Sequence, residues 1–218
     1  MAKKTDENIP AAHLCENEEK RRIILDAAQK RFGLYGLSKT TMQEIADDLN
    51  ISKASLYYYF PDKESLYAAV IKTEQEEYIK RINNKVLKYE DPCDMLRGYI
   101  AIRQNYFRTL LNLSRSRYEE MKGVKPFLEK NIKGFKEQER AIINKILASG
   151  VEKKKFNMDS TEEMASLYLA LITGLFHFRI RKKDIFYLDK DEFSSLVKES
   201  NLFTEVFLRG LQFKLKIN

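Results

Sequence analysis

Apolar residues recur at three- and four-residue spacing through most of the chain. Nowhere do they alternate with polar ones in the period of a strand, so the chain reads as a succession of helices. The first runs from about Glu19 to Tyr35, with Ile24, Ala27, Ala28, Phe32 and Tyr35 turned inward and Gly36 ending it. Met42, Ile45, Ala46 and Leu49 define a short second helix, opened by the N-cap types Thr40 and Thr41. Asn50 tolerates the left-handed backbone of a turn, and Ile51 can plug the core within it. Ser52 caps a third helix, Lys53 to Tyr59, on which Leu56 and Phe60 lie four apart and face inward. Pro61 stops that helix, and Asp62 caps a fourth that continues to about Leu87.

Beyond Asp91-Pro92 the pattern predicts a helix from about Asp94 to Asn112. Gly123 and Pro126 are breakers around the segment Ser114 to Lys125, and another helix follows from Pro126 to about Ala148, closed by Gly150. Asp159 and Ser160, with Glu163, form a capping-box signature for a long helix through Arg181, and the last helix runs from about Lys190 to Phe213. These last two carry broad apolar faces: Met164, Leu167, Tyr168, Leu171, Ile172, Leu175 and Phe176 on one, Phe193, Leu196, Phe203, Val206, Phe207, Gly210 and Leu211 on the other. Gly174 lets another helix approach closely. Such faces either pack within one subunit or pair with their copies as a four-helix bundle.

The stretch from Thr40 to Leu66 reads as two short helices joined by a tight turn, an arrangement that offers its second helix to the major groove of duplex DNA. Ala54 and Ser55 are small enough for close approach to a groove floor. Lys53, Ser55, Tyr57, Tyr58 and Tyr59 are left facing solvent or a partner. Lysine, serine, threonine and tyrosine are the side chains that most often hold phosphates, and Thr41 and Ser52 stand at helix N-termini, where free N–H groups attract an anion. Lys63 lies in the first turn of its helix, against the macrodipole, a conflict that a phosphate would relieve.

With IILDAAQKRFGLYGLSKTT (Ile23 to Thr41), Ile45-Ala46, ISKASLYYYF (Ile51 to Phe60) and KESL (Lys63 to Leu66) in that order, the chain resembles the TetR family of bacterial transcriptional regulators from about Lys20 to Leu66. The resemblance implies an all-α fold: an N-terminal three-helix DNA-binding domain with a helix-turn-helix, then a helical effector-binding and dimerisation domain. The corresponding division is a flexible tail at 1–18, the reader at 19–66 and the second domain at 67–218. By position, Lys53, Ala54 and Ser55 match residues that meet base edges. Thr41, Gln43, Tyr57, Tyr58, Tyr59 and Lys63 match positions that hold phosphates or the groove rim, and Ser52 caps the reading helix. Ala54 stands where the family often has Gly, Tyr59 where it often has His, and Leu49-Asn50 where Ala-Gly is common.

The resemblance also implies a symmetric homodimer through Tyr168, Leu171, Gly174, Leu175, Phe203, Val206, Phe207 and Gly210. Its two readers would meet half-sites about 34–36 Å apart on a palindromic operator. The family surrounds a small-molecule pocket with its middle helices, which here carry Tyr78, Tyr99, Tyr106, Phe107, Phe127 and Phe135. Tyr106, Phe107, Phe135 and His177 are the candidate lining residues, and Arg103 and Arg179 suit a carboxylate or phosphate if the effector is anionic. Any one of these aromatics reads equally as core packing.

Length and charge fit this picture. The 218 residues suffice for one or two compact domains. The net charge of +7 fits a nucleic-acid partner. Yet Glu19 to Leu66 carries eight Lys/Arg against seven Asp/Glu, so most of the excess lies C-terminal to the reader. The local positives are Lys20, Arg21, Arg22, Lys39, Lys53 and Lys63; Lys153–Lys155 and Arg179–Lys183 read as solvated surface. The polar start, without a signal core or an apolar run long enough to span a bilayer, predicts a cytosolic protein. Cys15 and Cys93 lack metal-ligand companions. Cys93 stands near a helix start, where a thiol pKa can fall, and reads otherwise as an incidental cytosolic thiol. With His13 and His177 the only histidines, the reading is no metal and no cofactor. Nucleophile elbow, phosphate loop and paired carboxylates are missing, which disfavours an enzyme. A helical scaffold with a vestigial helix-turn-helix is the other alternative.

Overall fold

The computed structural model describes residues 11–114, 118–181 and 188–212, which form eight α-helices and one 3-10 turn. They are α1 (Ala11–Tyr35), α2 (Met42–Asp48), α3 (Lys53–Tyr59), α4 (Lys63–Lys85), the turn Val86–Lys88, α5 (Pro92–Ser114), α6 (Tyr118–Glu152), α7 (Thr161–Arg181) and α8 (Lys190–Leu211). The start of the expected tail, residues 115–117, the end of the basic run after Arg181 and Phe213 lie outside the described residues.

The local signals act where their chemistry places them. Thr41 caps α2 in a complete capping box. Its N–H (2.9 Å) and hydroxyl (2.8 Å) donate to Glu44 Oε2, and the Glu44 N–H donates back to Thr41 Oγ1. Ser52 caps α3, accepting from the Ser55 N–H at 3.1 Å, and Asp62 caps α4 through the Ser65 N–H at 2.6 Å. Asn50 (φ 52°) and Gly36 (φ 82°) take the left-handed backbone on which the two turns depend. At the other end, Asp189 and Glu192 make a second complete capping box at the start of α8.

Three expectations are corrected. Helix α1 is already formed at Ala11, so Ala11 to Glu18 is helical rather than tail. Side-chain pairs one turn apart, Glu16–Lys20 and Glu19–Arg22, support its exposed first turns. Tyr35 is exposed, because Gly36 turns the chain and Leu37 enters the core in its place. Gly123 and Pro126 do not break the chain: α6 is continuous from Tyr118 to Glu152, with Pro126 inside it. Val124 and Leu128 flank the proline and are buried against the α1–α4 core, a gain that offsets the missing N–H.

Two main cores result. Ile24, Phe32, Ile45, Leu56, Phe60 and Leu66 pack the three-helix unit together with the first turns of α4. Tyr78, Leu96, Tyr99, Ile143, Ile146, Tyr168 and Leu208 pack the rest. Helix α4 belongs to both, contributing Leu66 to Ile71 to the first and Tyr78 to Ile82 to the second. At the far end of α6, Gly150 accepts the ring of Phe156 so closely that an added Cβ would lie 1.9 Å from it. Lys155 there pairs with Asp91 (2.6 Å) and Lys153 bonds the Glu90 carbonyl. All three lysines of that run are exposed surface, and two of them tie the end of α6 to the residues just before α5.

Candidate nucleic-acid interface and interhelical cavity

The edge of α3 is held outward by its opposite side. Leu56 is fully buried and Phe60 nearly so, under the guanidinium of Arg21 at 4.8 Å. With those two anchored, Ser52, Lys53, Ala54, Ser55, Tyr57 and Tyr58 all face solvent. Tyr58 is 78% exposed and meets half-buried Tyr59 edge to face at 5.2 Å. Lys53 Nζ lies 5.7 Å from the Tyr57 ring. The hydroxyls of Ser52 and Ser55 share a 2.8 Å hydrogen bond. Beside this edge Lys20, Ile23, Leu49 and Ile51 complete a groove of about 750 Å³.

Two sequence candidates also bond within the subunit. Gln43 is exposed but donates to Asp47 at 2.8 Å. Lys63 is half-buried and donates to the Leu37 carbonyl at 3.0 Å, so its conflict with the helix dipole is relieved within the subunit. Thr41 stays exposed at the head of α2. The pitch of α2 against α1 rests on Arg31, which grips Asp48 with two nitrogens (2.6 and 2.9 Å) and reaches Glu44 at 3.2 Å. Hydrogen bonding from Arg31 holds the Asp48 carboxyl below the usual aspartate range. Stability from this pair is therefore fully present above the unfolded aspartate pKa of about 3.9 and is lost as pH falls through the lower folded value. In thermal melts between pH 6 and pH 3, Asp48→Asn should be less stable than the parent at the upper end and lose less on acidification. Parallel curves for the two proteins would show that the pair contributes nothing.

Between α4, α5, α6 and α7 lies a cavity of about 280 Å³. Tyr106, Phe107, Phe135, His177 and Arg103, all named from the sequence, line it. Tyr67, Ile71 and Gln75 of α4 also do, with Leu110, Leu128, Ile132, Thr173 and Phe176. Phe127 is exposed and outside it. Arg179 is also elsewhere, joined to Glu199 and to Ser195 (3.4 Å) across α7 and α8. The residue that sequence reasoning missed is Glu139, 3% exposed on the cavity floor. Its Oε1 accepts from Tyr78 (2.7 Å), Tyr99 (2.8 Å) and Arg103 Nε (3.1 Å). Arg103 also donates to Thr173 at 2.8 Å and lies 4.3 Å over the Phe107 ring. Burial opposes the charge on Arg103, yet Glu139 and the two tyrosines hold its pKa above the ordinary value. Burial, and then the same carboxylate, push both tyrosines well up. A signal for Glu139 existed: it interrupts the apolar stripe Phe135, Ile142, Ile143, Ile146 on α6.

The faces expected at a dimer contact divide. Tyr168 is fully buried within the subunit, its hydroxyl 2.8 Å from Thr204 Oγ1 and its ring against the half-buried Phe203 and Phe207. Exposed instead are Leu167, Leu171 and Phe178 on α7 and Leu202 and Val206 on α8, and the Cβ positions of Gly174 and Gly210 are open. Leu175 is half-buried. Cys93 is buried, and burial followed by Asp91 raises its thiol pKa rather than lowering it.

An all-helical chain whose capped α2–turn–α3 unit exposes the outer edge of α3 is, as a class, a helix-turn-helix protein. Residues 24–70 match the family described as bacterial regulatory proteins, tetR family. The crystal structure of a transcriptional regulator from Cytophaga hutchinsonii superposes with a TM-score of 0.83 at 37% identity, covering 89% of this chain and 99% of that one. RutR, a helix-turn-helix transcriptional regulator of Escherichia coli, is 32% identical over 117 residues, 53% of this chain and 54% of RutR. YuxN, an uncharacterised regulator of the same type from Bacillus subtilis, is 33% identical over 85 residues, 39% of this chain and 29% of YuxN. The chain thus spans about half or less of the length of these two curated relatives. It belongs to the TetR family of helix-turn-helix transcriptional regulators, a family of regulators and not of enzymes. Among the described residues no helix is long and apolar enough to cross a membrane, and no group of three His, Cys, Asp or Glu is placed to hold a metal ion.

Proposed function

We propose that the chain acts as a homodimeric repressor, binding a palindromic operator through α3 and released by a small molecule in the interhelical cavity. The observation that carries the reading is the exposed, basic and aromatic edge of α3, held outward by buried Leu56 and Phe60. Lys53, Ala54 and Ser55 meet base edges. Tyr57 and Tyr58 hold phosphates, while Thr41 and Ser52 present the heads of α2 and α3 to the same backbone. Tyr59 and Lys63 are half-buried and support that rim. The reader ends near Leu66, and α4 carries the cavity's occupancy to it, because one helix lines the cavity with Tyr67, Ile71 and Gln75 and packs against α1. Tyr67 is central to this link: its ring meets Phe32 of α1 edge to face at 5.3 Å. Release follows only if the ligand prefers the non-binding spacing of the two readers.

The test is a fluorescence titration of operator DNA at fixed salt. Lys53→Ala is expected to weaken specific binding by about 1–3 kcal/mol if the amine reads a base. Tyr57→Ala is expected to lower affinity similarly on all sequences, as a phosphate contact would. Both variants should keep the parent's oligomeric state. Unchanged affinity for both removes α3 from the interface.

A further inference from the structure

We infer that the cavity takes an uncharged, mainly aromatic or aliphatic molecule whose buried end carries one hydroxyl or N–H donor, bonded to Glu139 Oε2. The inference rests on the ligand-release reading above and adds the chemical class of the ligand. All three donors to Glu139 converge on Oε1, and among the described residues none is on Oε2. Nor is Oε2 among the sealed side-chain atoms that lack a partner, of which Asn144 Oδ1 is the one instance in the described residues. An oxygen that is neither bonded nor sealed, on a carboxylate that is 3% exposed and lines the cavity, opens onto the cavity. It is an acceptor waiting for a donor.

Charge decides the rest. Arg103 neutralises Glu139, so the floor carries no net charge, and an ion brought there would be desolvated without a counter-ion. Lys125 and Lys136 are exposed at the rim, where water solvates them. The walls are Tyr106, Phe107, Phe135 and Phe176 with aliphatic neighbours, which suits a flat apolar body.

Three matched probes separate the alternatives by calorimetry on the full chain: 4-phenylphenol, its methyl ether and biphenyl-4-carboxylate. The phenol should bind at least about tenfold more tightly than either of the others, the equivalent of one hydrogen bond to a charged group. Equal affinities, tighter binding of the ether or the carboxylate, or no saturable binding of the phenol would each overturn the inference. In Glu139→Gln the amide N–H₂ takes the place of Oε2, so the preference should invert towards the ether. If that variant does not fold, the three probes on the parent chain still decide. Operator affinity without ligand is measured in parallel. Intact DNA binding with no phenol preference removes the ligand class alone, whereas lost DNA binding removes the regulator reading.

Discussion

Replacing Glu139 by alanine is expected to destabilise the fold by about 3–5 kcal/mol, the cost of removing one partner of a buried ion pair. The side chain is a hub between helices: Tyr78 comes from α4, Tyr99 and Arg103 from α5, and the carboxylate itself from α6. Without it a guanidinium that is 3% exposed keeps its charge with one hydroxyl, Thr173, as its remaining bonded neighbour. Two buried tyrosine hydroxyls also lose their acceptor, each an unsatisfied polar group worth about 1–3 kcal/mol. These costs overlap and do not sum, because the groups share one network. Urea unfolding should show a markedly lower midpoint. Arg103→Leu combined with Glu139→Leu should recover part of the loss, since it removes the stranded charge. A midpoint shift corresponding to less than 1 kcal/mol for the alanine variant would mean that the cluster is solvated and not a structural hub.

Leu171→Asp together with Val206→Asp is expected to convert the protein to a monomer at micromolar concentration and to lower operator affinity by at least about 100-fold. Both side chains are about half exposed in the single subunit, at 45% and 59%, so the subunit itself tolerates the change. In the proposed dimer they sit within the paired α7–α8 bundle, beside Gly174 and Gly210, where no Cβ keeps a second helix away. Aspartates in an apolar two-fold interface are introduced twice, once from each copy, and burying unpaired carboxylates there costs several kcal/mol. Light scattering coupled to size exclusion gives the mass, and DNA titration gives the second loss. A variant that keeps the parent's mass would place the dimer contact on another face. Tyr168, by contrast, has no part in such a contact, because the core of its own subunit already encloses it.

What was legible in the sequence was what short-range chemistry dictates. The caps at Thr41, Ser52 and Asp62, the turn at Asn50 and the stop at Gly36 each depend on one residue and its immediate neighbours. The inward pair Leu56 and Phe60 follows from spacing alone, and with it the outward edge of α3. What escaped was decided by distant contacts. Pro126 reads as a breaker until Val124 and Leu128 are seen buried against another part of the chain. An apolar stripe says that a helix has a buried face, not whether its own subunit or a second copy covers it, so Tyr168 and Leu171 read alike. Lys63 and Arg179 looked available because their partners, Leu37 and Glu199, come from other elements. The cavity was legible as a set of aromatics, while its polar floor required three helices to meet at one carboxylate and a fourth to hold its arginine partner through Thr173.

In the proposed dimer two copies of the α3 edge, fixed by one symmetric contact, read two major grooves in succession. Selection of bound sequences from a random duplex library with the purified protein decides whether they do. The expected result is enrichment of an inverted repeat, its half-sites lying about 10 base pairs apart centre to centre or a further whole turn away. Recovery of an unpaired site, or of no preferred sequence at a salt concentration where nonspecific binding is suppressed, would contradict it.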